Sequence, residues 1–277
     1  MSDAARGTVI GEGAETPIAV YVKQFTETPN VGDAIGARIV EAITGRPLRI
    51  VGEAPLSVPN LIAIGSIVHW SDEHSVLWGC GLIAPGIPAR VPADVLALRG
   101  KLTRDDLTAR GIRCPDVLGD PGLLLPDVIA PSEPCHPIGL VPHYADRDTE
   151  FVDRCRREGV PIIDVHETPE TYVEQLTSCR RILSSSLHGI VIAHAYGIEA
   201  GWVKISERVH GDGFKFFDYY SSLGVAARDV PMMVPGSPAI DRMAESCWRP
   251  EVLPDRGLLR RVLEQNIVEL ETLAVEA

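Results

Sequence analysis

The chain has 277 residues, 45% of them hydrophobic and 23% charged, which is enough to bury more than one ordinary core, so two α/β units are expected. A formal net charge of −12 excludes a nucleic-acid partner, whose phosphates require a basic face, and means that any anionic substrate must be met by a local cluster of cations and helix N-termini. No apolar run approaches the roughly 20 residues of a membrane span, the start lacks a basic-then-apolar leader, and the six scattered cysteines (Cys80, Cys114, Cys135, Cys155, Cys179, Cys247) have no C-x-x-C or metal-ligand spacing, so the expectation is a cytoplasmic protein with reduced thiols and no metal site.

In chain order, Ile18–Val22 is a short apolar run that leads through a polar turn to Asn30-Val-Gly-Asp33. An amphipathic helix follows to about Thr44, with Gly45 as its stop. Leu48–Val51, Leu61–Ile64, Val76–Trp78 and Val95–Leu98 have the β-branched character and turn-rich flanks of strands. The last runs into Arg99-Gly-Lys-Leu-Thr-Arg-Asp-Asp106, where Thr103 and Asp106 have capping-box spacing and Gly111 closes a helix. Four prolines between Pro126 and Pro137 rule out a central strand or helix there. A boundary near residue 130 is therefore expected, dividing the chain into units of residues 1–130 and 131–277.

The second series begins with a strand at Ile138–Val141, a helix near Thr149–Arg157, a strand at Pro161–Val165, and a helix capped by Thr168 with Pro169 at its first position. Arg181–Leu183 then leads through Ser184-Ser185-Ser186 into an apolar helix ending at Gly197, Trp202–Ile205 follows as a strand, and the chain closes with a helix from Arg256 to about Leu273. Alternating β and α units imply parallel sheets with right-handed crossovers. Two such Rossmann-like sheets facing each other bring the carboxyl ends of both strand sets to one cleft.

The segment most suited to chemistry is Ser184-Ser-Ser-Leu-His-Gly189, a strand-to-helix turn whose free N–H groups, hydroxyls and helix dipole fit an anion. Capping alone would also account for its serines. His188 lies in the first helical turn and faces the cleft. His194, six residues on, points elsewhere and belongs to the core. Asn30, Gly32 and Asp33 occupy the equivalent rim of the first unit, so Asp33 and His188 face each other as an acid/base pair, or Asp33 only caps its helix. Arg99 and Arg104 flank a strand end, His143 follows the strand at Ile138–Val141, and Lys215 stands in the aromatic run Phe214–Tyr220. Dinucleotide and P-loop readings are disfavoured, because neither a Gly-x-Gly-x-x-Gly fingerprint nor a Gly-x-x-x-x-Gly-Lys-Ser/Thr loop is present and Gly11-Glu-Gly13 precedes the first strand.

Together, Asn30-Val-Gly-Asp33, Leu98-Arg-Gly-Lys-Leu-Thr-Arg104, Val141-Pro-His-Tyr144, Ser184-Ser-Ser-Leu-His-Gly189 and Lys215-Phe-Phe-Asp-Tyr219 resemble, in order and over residues 18–225, the polysaccharide pyruvyl transferase family. The resemblance implies two Rossmann-like domains facing a cleft in the manner of the glycosyltransferase B fold, with phosphoenolpyruvate as donor and a saccharide acceptor, free or lipid-linked. It further implies phosphate release without a metal or other cofactor; no transmembrane segment is expected, and transient association with a membrane surface stays open. Catalysis is carried over to His188 and Asp33, and substrate binding to Asn30, Gly32, Arg99, Arg104, His143, Ser184, Ser185, Ser186, Leu187, Gly189 and Lys215. Many family members have Arg before Leu-His where this chain has Ser186, so Arg99 and Arg104 are expected to share the donor's phosphate and carboxylate. The alternatives are a sugar-nucleotide glycosyltransferase of the same architecture and a non-catalytic anion- or saccharide-binding relative.

Overall fold

The computed structural model describes residues 19–28, 30–236 and 240–275; Ile18 and the Gly11–Gly13 segment lie outside them. Five strands, β1 (Val20–Lys23), β2 (Leu48–Val51), β3 (Asn60–Ile62), β4 (Ser75–Trp78) and β5 (Asp94–Ala97), form one parallel sheet in the order β2-β1-β3-β4-β5. Apart from the edge strand β2, whose Arg49 and Ile50 are exposed, its strands are short, largely apolar runs because both faces are covered. From β1 the chain runs outward to β2 and then returns past β1 to β3, so the order changes direction between β1 and β3. Sheets of this kind bind ligands outside the carboxyl ends of the strands that flank such a reversal.

Helix α1 (Val31–Thr44) connects β1 to β2. Asn30 caps its start by accepting the Asp33 N–H, Gly45 ends it in the left-handed conformation, and Val31, Ile35 and Ile39 bury one face at helical spacing. Helix α2 (Lys101–Ala109) begins two residues before Thr103. Its cap is Gly100, and the amide that a capping side chain would take, Thr103 N–H, is accepted by Asp218 from another part of the chain. The capping-box expectation is corrected on that ground.

A second parallel sheet contains β6 (Gly139–Val141), β7 (Arg181–Ser184), β8 (Glu199–Val203) and β9 (Met232–Met233) in sequence order. The strand expected at Pro161–Val165 is reduced to one bridge, Ile162 to Leu140 on the outer side of β6. Pro161 has no N–H to extend the ladder, and only its carbonyl takes part, accepting from Leu140. The reversal of direction nonetheless falls between β6 and β7. Around this sheet stand α3 (Glu150–Arg157), α4 (Pro169–Thr177, capped by Thr168), α5 (Leu187–Ala195), α6 (Phe214–Ser222) and α7 (Ile240–Ala244).

Helix α8 (Arg256–Val275) returns to the first sheet, where Trp78 Nε1 donates to the Leu259 carbonyl over 2.8 Å. A buried 3-10 turn at Pro121–Asp127 is wedged between α1, α5 and α8, and α6 packs on α2, so one hydrophobic core runs through both sheets. No described helix is long and apolar enough to cross a membrane.

Candidate active site

The two reversals face each other across a cleft of about 720 Å³. From the first sheet come Asn30 and Asp33 at the start of α1 and the Gly65-Ser66-Ile67 loop after β3. From the second come His143 and Tyr144 after β6 and Ser186, Leu187 and His188 at the start of α5. Lys215 reaches in from α6.

Asp33 is 8% exposed. Burial pushes its carboxyl up to about 6 from the ordinary 3.8, against the lowering influence of His188, the Asn30 amide and Lys215. Asn30 Nδ2 donates to Asp33 Oδ2, which fixes the carboxylate at the helix start. Because the folded protein favours the protonated acid, this group costs nothing below about pH 4, and its penalty grows until ionisation is complete above pH 6. A displacement of roughly two pKa units corresponds to about 3 kcal/mol. Asp33→Asn is accordingly expected to be more stable than the parent above pH 6 and equally stable below pH 4. Urea titrations across that range check the sign, and a gap independent of pH would contradict it.

His188 is placed by two neighbours. A Cβ on Gly32 would lie 2.1 Å from His188 Nδ1, so only glycine leaves room for the ring. On the other side, His188 Nε2 is buried without a hydrogen-bond partner, 3.7 Å from Asp120 Oδ2, which is likewise buried and unpartnered. The other oxygen of Asp120 accepts the Gly122 N–H. Gly32→Ala is expected to displace the imidazole and reduce activity by about 10²-fold, the usual effect of an ångström-scale misplacement, with little change in the melting curve. Kinetics beside a thermal melt check this.

Lys215 is 9% exposed. Burial and the neighbouring Arg99 lower its ammonium to about 8, while Asp33 and Asp146 oppose the shift. Among the described residues lining the cleft it is the sole lysine or arginine. Its other electropositive element is the N-terminus of α5, where Ser186 makes no side-chain cap; the Gly189 N–H is taken by the Ser186 carbonyl, and those of Leu187 and His188 are left to a ligand. His143 accepts the Ala145 N–H at Nδ1, which puts the ring proton on Nε2. Burial, Lys215 and His210 drive its pKa down to about 3, so it stays a neutral donor.

Other residues expected at the site serve it from behind. Ser184 Oγ lies within 3.0 Å of the Val141 and Ser186 carbonyls and the Ser186 N–H, and Ser185 Oγ accepts the His143 N–H. Gly189 is required by close packing: a Cβ there would approach Ser184 Oγ to 2.2 Å. Arg99 is wholly buried, donating to Asp218, to Ser66 Oγ and to the Leu82 carbonyl. Arg104 pairs with Asp105 and Asp116 away from the cleft. Neither arginine lines the cleft wall. His194, as expected, is core, bonded to the Tyr219 hydroxyl and the Trp248 carbonyl.

Residues 91–206, which carry β5, the Asp120 turn, His143 and the start of α5, match the family model described as Polysaccharide pyruvyl transferase. The uncharacterized protein L143 of Acanthamoeba polyphaga mimivirus is 31% identical over 216 residues, 74% of this chain and 75% of that protein. The chain belongs to the polysaccharide pyruvyl transferase family. Membership implies a transferase with a saccharide acceptor, and the family match takes in His188 but neither Asp33 nor Lys215. Phe25, Glu27, His69, Trp70 and His210 of this transferase's cleft, and the buried Asp120 behind it, were not singled out from the sequence. Only Asp120 carried a local signal: in Gly119-Asp-Pro-Gly122 it stands where a turn cap belongs.

Proposed function

We propose that the cleft binds phosphoenolpyruvate and transfers its pyruvyl group as a ketal to two hydroxyls of a saccharide in a cell-surface glycan precursor, in a cytoplasmic enzyme of glycosyltransferase-B-like architecture. The observation that carries this reading is the convergence of Asp33, His188 and Lys215 on one cleft in a member of this family. Lys215 and the α5 N–H groups meet the phosphate, and the Nε2–H of His143 meets the carboxylate. Asp33, held protonated in part at neutral pH, delivers a proton to the methylene carbon. One sugar hydroxyl, losing its proton to His188, adds to the adjacent carbon. The C–O bond to phosphate then breaks, the phosphate leaves with the bond's electron pair, and the second hydroxyl closes the ketal as its proton leaves with phosphate. Asp120 stands 3.7 Å behind His188 and stabilises the imidazolium that forms. The rate is expected to fall about tenfold per pH unit well above pH 6, as the protonated fraction of Asp33 declines.

Lys215→Met supplies the test. Since folding lowers the Lys215 pKa from 10.5 to about 8, its penalty is absent above pH 10.5 and complete below pH 8. Removing the charge should therefore stabilise the free protein at pH 7 by up to about 3 kcal/mol. Phosphoenolpyruvate at a hundredfold excess over its dissociation constant should add about 2.7 kcal/mol to the parent and much less to Lys215→Met. Stabilisation of the parent by UDP or GDP, with none by phosphoenolpyruvate, would assign the cleft to a sugar nucleotide instead.

A further inference from the structure

The cleft has two chemically different ends. The donor end is built from Lys215, the start of α5 and His188, whereas the first-sheet end holds Phe25, Glu27, His69 and Trp70 and no lysine or arginine among its described residues. Phe25 and Trp70 are half-buried, with ring centroids 6.1 Å apart and planes 33° from each other, and together they form an aromatic shelf. The His69 ring stands edge-on to Trp70 at 6.1 Å. Its Nδ1 is buried without a partner, and burial lowers its pKa, which leaves a neutral imidazole able to donate or accept.

The shelf is firmly held. Lys23, 1% exposed at the end of β1, donates to the Trp70 carbonyl over 2.8 Å and pairs with Asp72, which also accepts the N–H groups of Leu56 and His74. A buried cation thus ties the turn bearing His69 and Trp70 to the strand next to Asp33. An aromatic surface beside a carboxylate and a neutral imidazole suits a neutral, hydroxyl-rich ring better than an anion.

We infer that this shelf is the acceptor subsite, which rests on the pyruvyl-transfer reading. A neutral pyranose packs its apolar C–H face on Trp70 and Phe25. Glu27 and His69 bond its outer hydroxyls, and two neighbouring hydroxyls face Asp33 and His188.

The experiment is saturation-transfer NMR with methyl glycosides of galactose, glucose, mannose and N-acetylglucosamine, and with uridine, on the parent, Trp70→Ala and Trp70→Phe, beside phosphoenolpyruvate melting shifts on each. At least one glycoside should bind the parent. Its affinity should fall by at least about tenfold in Trp70→Ala and stay within about threefold in Trp70→Phe. The phosphoenolpyruvate shift should persist in Trp70→Ala, which also reports that this variant is folded. The inference is overturned if no glycoside binds, if Trp70→Ala binds as the parent does, or if uridine alone depends on Trp70. Trp70-dependent sugar binding without any phosphoenolpyruvate shift would sink the pyruvyl-transfer reading and leave the sugar shelf standing.

Discussion

His188→Ala is expected to lower pyruvyl transfer by about 10²–10⁴-fold, the effect of removing one proton-transfer group, while the variant folds normally. The ring lines a cleft and makes no hydrogen bond that holds two elements together. The unpartnered Asp120 oxygen lies 3.7 Å from its Nε2, which itself has no hydrogen-bond partner. Deleting the ring breaks no hydrogen bond of the described fold. A steady-state rate with circular dichroism checks both halves of the statement. A loss under tenfold would return His188 to a packing role and move the proton transfers to Asp33 or another group of the cleft.

Arg99→Ala is expected to cost 3–5 kcal/mol of stability, roughly what is lost when one partner of a buried ion pair is removed and its counter-charge left behind. Arg99 and Asp218 are both fully buried with 2.9 Å between Nε and Oδ2. Asp218 also accepts the N–H and hydroxyl of Thr103, so the pair joins α6 to the start of α2. Packing around it is tight: a Cβ on Gly81 would lie 2.3 Å from the guanidinium. Denaturant titration measures the cost, and Asp218→Asn placed on Arg99→Ala should recover part of it, since the two residues are coupled. Lys215 lies three residues before Asp218 on α6, so donor affinity should weaken only as α6 loosens. A stable Arg99→Ala variant with donor affinity reduced tenfold would restore Arg99 to the substrate.

The fate of Arg99 shows where sequence reasoning ran out. All five strands of the first sheet, the Asn30 and Gly45 ends of α1, and the Thr168-Pro169 start of α4 were legible, because short apolar runs and capping residues act locally. An arginine at a strand end gives no local sign of whether it faces a ligand or an aspartate 119 positions away. The same limit hid the Asp120 carboxylate behind His188 and the return of α8 to the first sheet, both of which are made by distant contacts. Pro161–Val165 had the composition of a strand and the wrong first residue for one, and β9, two residues long, was too short to register. Asp33 and His188 stand at rims that the alternation of strands and helices brings to one cleft, whereas Lys215 was legible only through the resemblance; all three line the cleft.

Under the proposed function this cleft joins the pyruvyl carbons of phosphoenolpyruvate to a saccharide. The most direct measurement is 13C NMR of phosphoenolpyruvate labelled at its methylene carbon, incubated with the enzyme and a panel of glycans while inorganic phosphate is followed in the same tube. The vinyl carbon is expected to become a ketal methyl group in step with phosphate release, only when a glycan is present, and not with His188→Ala. Phosphate release that yields free pyruvate whether or not a glycan is added, or an unchanged vinyl signal alongside glycosyl transfer from a sugar nucleotide, would contradict it.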